Sequence, residues 1–212
     1  MTSRCVVIAG GEFTAKLAEL INKDDFIIAA DSGYEYCKKF GISSNLIVGD
    51  FDSYKGELPI DTEIIKLPTR KDDTDLLFAA KCGVKKGFTN FLILGGYGSR
   101  PDQCFAMYQT LLWIKEQNPA AEVAAHCSGF EVYVLLNSSK SFSSLENRYL
   151  SVFSLYERAE GVCISGGAEY PLNDATVTAG FPIGVSNCTK GSDITVSVKK
   201  GALLVMVVDK NI

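Results

Sequence analysis

Through its first 125 or so residues the chain alternates short apolar runs with segments of helical periodicity, and this alternation restricts the fold more than any other feature. The runs are Cys5–Ala9, Phe26–Ala30, Leu46–Val48, Glu63–Leu67, Phe91–Leu94 and Glu122–Ala125. Helical patterns lie between several of them, at Thr14–Asn22, Tyr34–Phe40, Thr74–Lys86 and Asp102–Gln117. Leu76, Leu77, Ala80 and Val84 form an apolar stripe on the third helix, and Gly87 stops it. Phe105, Tyr108, Leu111 and Leu112 give the fourth a comparable stripe, with Asp102 as its expected N-cap. Continuous apolar runs joined by helices predict right-handed crossovers and a mostly parallel, three-layer α/β domain.

The pattern changes after about Gly129. Short β-like pieces follow at Val132–Leu136, Tyr149–Leu155, Gly161–Ile164, Ala175–Val177, Ile194–Val198 and Ala202–Val208. Turns are expected at Ser165-Gly166-Gly167 and Lys190-Gly191-Ser192, while Pro171, Pro182 and Gly184 disfavour helix. The expected organisation is an α/β domain over residues 1–129 and a small antiparallel β-sandwich or barrel over 130–212. A core of that size is expected to need completion by the first domain or by another subunit.

A formal charge of −4, with basic residues no denser than the pairs Lys85-Lys86 and Lys199-Lys200, argues against a nucleic-acid partner. No apolar run reaches the roughly 20 residues of a membrane span. Seven cysteines, odd in number and without a CxxC pair, read as free thiols in a reducing compartment. The amino terminus runs directly into a strand pattern without a signal-peptide n-region. A cytoplasmic location is expected.

Chemistry gathers where the apolar runs end. Leu46-Ile47-Val48-Gly49 runs into Asp50 and Asp52, two carboxylates at the edge where open α/β sheets bind ligands. Hard oxygens there suit Mg²⁺, which takes one or two carboxylates together with substrate phosphates. The first, second and fifth runs end in Gly10-Gly11-Glu12, Asp31-Ser32-Gly33 and the segment Gly95–Asp102. Glycines in such loops let backbone N–H groups approach a phosphate. Lys71-Asp72-Asp73-Thr74-Asp75 opens a helix: one of Asp72, Asp73 and Thr74 caps it, and Lys71 adds a cation for phosphates. Arg100 offers a planar fork to phosphate or base. His126 is the single histidine, so a His-dependent nucleophilic triad is disfavoured and its expected role is structural. Neither a GxxxxGK[ST] loop nor a GxGxxG continuation is present.

These motifs, in this order, resemble the thiamine pyrophosphokinases. The resemblance rests on Asp31-Ser32-Gly33, Gly49-Asp50-Phe51-Asp52-Ser53, Lys71–Asp75 and Gly95–Gln103. It continues through Gly167–Leu172, Ser186-Asn187 and Gly201–Val205, and so spans nearly the whole chain. It implies transfer of pyrophosphate from ATP to thiamine, Mg²⁺ as cofactor, and a homodimer with thiamine between one subunit's α/β domain and its partner's β domain. Carried onto this sequence, it implies Asp31, Asp50, Asp52, Asp75 and Asp102 as the catalytic acids, with Asp50, Asp52 and Asp75 on the metal. It further implies Ser32, Lys71, Thr74 and Arg100 at ATP, and Tyr170, Ser186 and Asn187 at thiamine. Gln103 stands where many bacterial members have His, Tyr170 where some have Trp, and Ser32 and Ser99 where glycines are usual. Two other readings share the acids: a pyrophosphokinase for another alcohol, such as a hydroxymethylpterin, and a catalytically silent nucleotide or thiamine sensor.

Overall fold

The computed structural model describes residues 4–51, 54, 56–143 and 145–211. The chain divides into two compact units, Met1–Ser128 and Gly129–Ile212. The first is α/β, with strands β1 (Cys5–Ile8), β2 (Phe26–Ala30), β3 (Leu46–Gly49), β4 (Glu63–Lys66), β5 (Asn90–Leu94) and β6 (Glu122–Cys127). Its helices are α1 (Ala15–Ala18), α2 (Gly33–Phe40), α3 (Asp75–Lys85) and α4 (Pro101–Gln117).

All six strands pair in parallel, in the order β6-β5-β1-β2-β3-β4. Alternate residues of the central strands face opposite ways. Val6, Ile8, Ile27, Ala29, Ile47, Leu92 and Leu94 pack with Leu17 of α1 and Cys37 of α2. On the other face Gly83 of α3 seats against Cys5 and Phe91, where an added Cβ would meet side-chain atoms at 2.9 and 2.6 Å. Helices on both faces explain why β1 and β3 are buried at every residue. Each fully buried Ile or Leu there contributes about 1.5–3 kcal/mol relative to exposure.

The chain reverses its direction across the sheet at β1, which has β2 on one side and β5 on the other. Connections diverge at such a point, leaving a crevice outside the carboxyl ends of the two strands. Here that crevice opens between the loops after β1 and β5.

Two helices begin or end elsewhere than their periodicity predicts. The helix expected over Thr14–Asn22 is α-helical only at Ala15–Ala18, because Leu20 and Ile21 donate three residues back, to Leu17 and Ala18, tightening the chain into turns. The last helix starts at Pro101, whose fixed φ suits the first helical position, so Arg100 rather than Asp102 occupies the N-cap. Asp102 falls within the first turn. The buried face of α4 is Cys104, Met107, Thr110, Leu111, Ile114 and Lys115, while Phe105 of the expected stripe is 63% exposed.

The second unit holds β7 (Phe130–Leu136), β8 (Ser139–Phe142), β9 (Arg148–Ser154), β10 (Arg158–Ala168), β11 (Leu172–Thr178), β12 (Gly184–Asn187), β13 (Thr189–Ser197) and β14 (Ala202–Asp209). They form two antiparallel groups, β12-β9-β14-β7 and β11-β10-β13-β8. Leu150, Val152, Leu203 and Val205 from the first group and Val162, Ile164, Ile194 and Val196 from the second share one buried cluster, so the unit carries a core of its own. Gly166 and Gly191, read above as turn residues, lie inside β10 and β13. Each has a positive φ, +79° and +94°, and the β10–β13 register shifts between Gly166 and Ala168, so these glycines bend paired strands. The polar strand β8 and the short β12 carry no alternating apolar pattern and are absent from the sequence reading. All seven cysteines are free. Among the described residues, no helix is long and apolar enough to cross a membrane.

Candidate active site

Loops at the carboxyl ends of β1 to β5 enclose a cavity of about 560 Å³ in the first unit. Gly10 and Gly11 follow β1, Asp31 and Ser32 follow β2, and Asp50 follows β3. Thr69, Lys71 and Asp73–Leu76 come from the β4–α3 connection, and Gly95–Arg100 with Gln103 come from the β5–α4 turn.

The glycine loops are bonded to each other across the crevice. Gly11 N–H donates to the Gly95 carbonyl at 2.7 Å and Glu12 N–H to the Tyr97 carbonyl at 2.6 Å. A Cβ on Gly11 would lie 2.2 Å from the Tyr97 carbonyl oxygen, so only glycine permits this approach. From α2, the Tyr36 hydroxyl donates to the Gly11 carbonyl at 2.7 Å and fixes the loop from behind.

Acidic groups line the opposite side. Asp31 has a left-handed φ of +48° and a backbone N–H bonded to the Val48 carbonyl at 2.7 Å, which continues the β2–β3 ladder one step past its end. Its Oδ1 is buried and accepts no hydrogen bond. Burial raises the Asp31 carboxyl above its ordinary pKa; the Ser32 N–H works against this, and the charges of Asp75 and Asp50 reinforce it. Lys71 Nζ lies between two other carboxylates, 3.2 Å from Asp50 Oδ2 and 2.9 Å from Asp75 Oδ1. Burial opposes the ammonium charge, but its bonds to Asp75 and Asp50 prevail and raise its pKa. Thr74 caps α3: its hydroxyl accepts from Leu77 N–H at 3.1 Å.

The expected site residues divide three ways. Asp31, Ser32, Asp50, Lys71, Thr74, Asp75 and Arg100 all line the cavity. Asp102 does not: its carboxylate forms a two-point pair with Arg100, which lowers the Asp102 pKa and raises that of Arg100. Asp52 lies outside the described residues. Asp73, Tyr97 and Gln103 also line the cavity; the sequence offers Asp73 only as a candidate helix cap, marks Gln103 only as a departure from the bacterial His, and gives Tyr97 no role of its own. The signal for Tyr97 was an aromatic ring among the glycines of a strand-to-helix loop. Asp73 gave none, since its partner Lys81, with Nζ 2.7 Å from both carboxylate oxygens, is eight residues away.

Tyr170, Ser186 and Asn187 belong to the second unit. Tyr170 is 63% exposed, whereas Asn187 is buried and its amide is spent on backbone: Oδ1 accepts from Tyr170 N–H and Cys188 N–H, and Nδ2 donates to the Tyr170 carbonyl. Ser186 is exposed with a left-handed φ of +58°, and its N–H is held by Ser151 Oγ at 3.0 Å. Strain of this kind persists where the surroundings over-determine it.

Among the described residues no three His, Cys, Asp or Glu converge tightly enough to form a metal cluster. The donor chemistry nevertheless fits a hard divalent cation. Asp31, Asp50 and Asp75 line one cavity with Lys71, and one buried Asp31 oxygen lacks any donor.

The family model described as thiamin pyrophosphokinase, catalytic domain, matches residues 17–123. The one described as thiamin pyrophosphokinase, vitamin B1 binding domain, matches residues 135–203. No curated protein sequence matches the chain. Among solved structures, the thiamine pyrophosphokinase of Bacillus subtilis superposes with a TM-score of 0.88 at 23% identity, covering 98% of this chain and 99% of that one. The thiamin pyrophosphokinase of Candida albicans gives 0.77 at 16% identity over 98% and 90%, and the yeast enzyme 0.76 at 14% over 98% and 86%. At those identities the superpositions speak for the fold. The catalytic-domain match alone spans half of the 212 residues, the vitamin B1 match follows it in order, and the chain belongs to the thiamin pyrophosphokinase family.

Proposed function

We propose that the chain transfers the pyrophosphoryl group of ATP intact to the hydroxyl of thiamine, giving thiamine diphosphate and AMP. The observation that carries this reading is the joining of two complementary walls in one cavity. Glycine loops able to approach phosphates face Asp31, Asp50, Asp75 and Lys71 across the carboxyl edge of a parallel sheet.

The chain's part is to bind and orient. The loops Gly10–Gly11 and Gly95–Gly98 seat the triphosphate. Ser32 and Thr74 stand beside it, and Arg100 covers the nucleotide from the mouth of the cavity. Asp50 and Asp75, with Asp52, would hold Mg²⁺, which when bound neutralises phosphate charge and leaves the β-phosphorus open to attack. Asp31 adds a carboxylate held by its backbone ladder. In-line transfer asks little covalent chemistry of the protein, so most of its contribution is positioning and charge. A carboxylate at the site takes the hydroxyl proton late in the transfer. Arg100 holds Asp102 in reserve as its counter-ion.

Tyr170 and Ser186 supply the thiamine contacts in the second unit, with Asn187 behind them. A homodimer accompanies this reading. Its support is the exposed set Tyr170, Phe181, Ile183 and Val185 beside β12, a strand that ends its sheet. Free cysteines favour the cytoplasm.

The test is direct. Purified protein with ATP, Mg²⁺ and thiamine yields AMP and thiamine diphosphate in equal amounts, and a chelator stops the reaction. ADP as product, preference for a hydroxymethylpterin over thiamine, or absence of turnover overturns the proposal.

A further inference from the structure

Lys71 bridges two acids of the proposed metal site. Its Nζ touches Asp50 Oδ2 at 3.2 Å and Asp75 Oδ1 at 2.9 Å, two of the carboxylates assigned above to the metal. The arrangement is partly enclosed, with the three side chains 14%, 20% and 26% exposed. Asp50 comes from the end of β3, and Lys71 and Asp75 flank the start of α3 four residues apart. One ammonium thus joins two elements of the site.

An ammonium and a divalent cation cannot both sit against these oxygens. Mg²⁺ demands close, near-octahedral oxygens, and a second cation at contact distance from the same carboxylates repels it at the reduced dielectric of the cavity. Lys71 must therefore leave Asp50 Oδ2 and Asp75 Oδ1 before those oxygens can ligate. Its four-carbon stem permits that, since ammonium is a point charge without a required plane. A triphosphate in the cavity gives the departing ammonium new anionic partners.

We infer that Lys71 is a tethered placeholder for the metal. It holds Asp50 and Asp75 together while the cavity is empty, and passes to the phosphates when metal and nucleotide enter together. The consequence is coupling: the site takes a divalent cation weakly alone and tightly with nucleotide. A ligand that shifts such an equilibrium acts only through its different affinities for the two states, and here the exchanged contact is the Lys71 ion pair. This inference rests on the metal-dependent reading given under Proposed function.

The test uses Mn²⁺ as probe, with free ion counted by electron paramagnetic resonance in the full-length protein. Lys71→Met removes the charge and keeps most of the stem. Without nucleotide, it binds Mn²⁺ about tenfold or more tightly than the parent, a coupling of ordinary size. With a non-hydrolysable ATP analogue the parent gains more affinity for Mn²⁺ than the variant does, so the nucleotide effect shrinks. Lys71→Arg keeps the charge and the weak binding. Lys71→Gln is a second uncharged variant should Lys71→Met fail to unfold cooperatively. Equal or weaker Mn²⁺ binding by the uncharged variants, in folded protein without nucleotide, overturns the placeholder role and leaves the metal reading standing. Failure of the parent to bind Mn²⁺ even with the analogue overturns the metal reading itself.

Discussion

Asn187 acts on Tyr170 as a neighbouring strand would: its Nδ2 donates to the Tyr170 carbonyl at 2.6 Å and its Oδ1 accepts from the Tyr170 N–H at 3.1 Å. A side-chain amide has the same donor and acceptor as a peptide group, so it can complete a loop's backbone bonding where no strand passes. The backbone of the exposed Tyr170 is thereby held at both its N–H and its carbonyl. In the proposed site Asn187 would position Tyr170, and the exposed Ser186 next to it would meet thiamine.

Asn187→Ala should therefore leave part-buried backbone groups without their protein partners, at a cost of about 1 kcal/mol in denaturant unfolding. In the folded variant the KM for thiamine rises while that for ATP holds. Asn187→Asp does not rescue it, because a carboxylate then faces the Tyr170 carbonyl. An unchanged thiamine KM in folded Asn187→Ala would remove Tyr170 from substrate recognition.

Asp50→Asn tests the acidic wall. Removing one preorganised electrostatic partner of a transferring group typically lowers kcat by about 10²–10³. The amide fills the same space in a partly open position, so thermal unfolding should remain cooperative with Tm within a few degrees. Retention of kcat would move the metal elsewhere.

Asp31→Asn should stabilise the metal-free protein at neutral pH while abolishing turnover. Burial raises the Asp31 pKa above its ordinary value. A raised carboxyl favours the fold when protonated, fully so below the unfolded pKa, and this contribution is lost as pH rises through the folded pKa. Asparagine stays neutral throughout and tolerates the left-handed backbone. The Tm difference, variant minus parent in chelator, is thus positive near pH 7 and closes below about pH 3. A difference independent of pH would assign the effect to packing.

Gly11→Ala should disturb nucleotide binding before it disturbs the rest of the unit. Its Cβ would lie 2.2 Å from the Tyr97 carbonyl oxygen and 2.6 Å from that of Gly95, both backbone atoms that move only with their loop. A loss of about 1–3 kcal/mol in stability is expected from such overpacking, with a larger rise in the KM for ATP than for thiamine. Equal effects on both substrates would count against this loop as the phosphate seat.

The parallel sheet was legible because buried strands such as β1 and β3 are continuous apolar runs, and the acids marking their ends fall where strands open to solvent. What escaped depends on contacts between distant residues. Asp73 meets Lys81 two helical turns on, and the bonding between the β1 and β5 loops joins residues some 85 positions apart, so neither leaves a local pattern. Proline moved the start of α4 by one residue and with it the role of Asp102, from cap to partner of Arg100. Gly166 and Gly191 misled because a positive φ serves a bent strand as well as a turn. Asn187 is expected at thiamine from the resemblance alone, and that its amide bonds the backbone of Tyr170 and Cys188 follows only from the folded loop.

The placement of β1 also governs when the site can come into being. Of the six parallel strands β1 is made first, and β2, β3 and β4 can assemble in turn on one side of it as they emerge. The other edge waits for Asn90–Leu94 of β5. Until β5 is made, that edge leaves backbone donors and acceptors beside Val6, Val7 and Ile8 without strand partners, a surface open to wrong pairing. The acids after β2 and β3 are made before Gly95–Gly98, so the second glycine loop of the cavity arrives only with the strand that closes the open edge of β1.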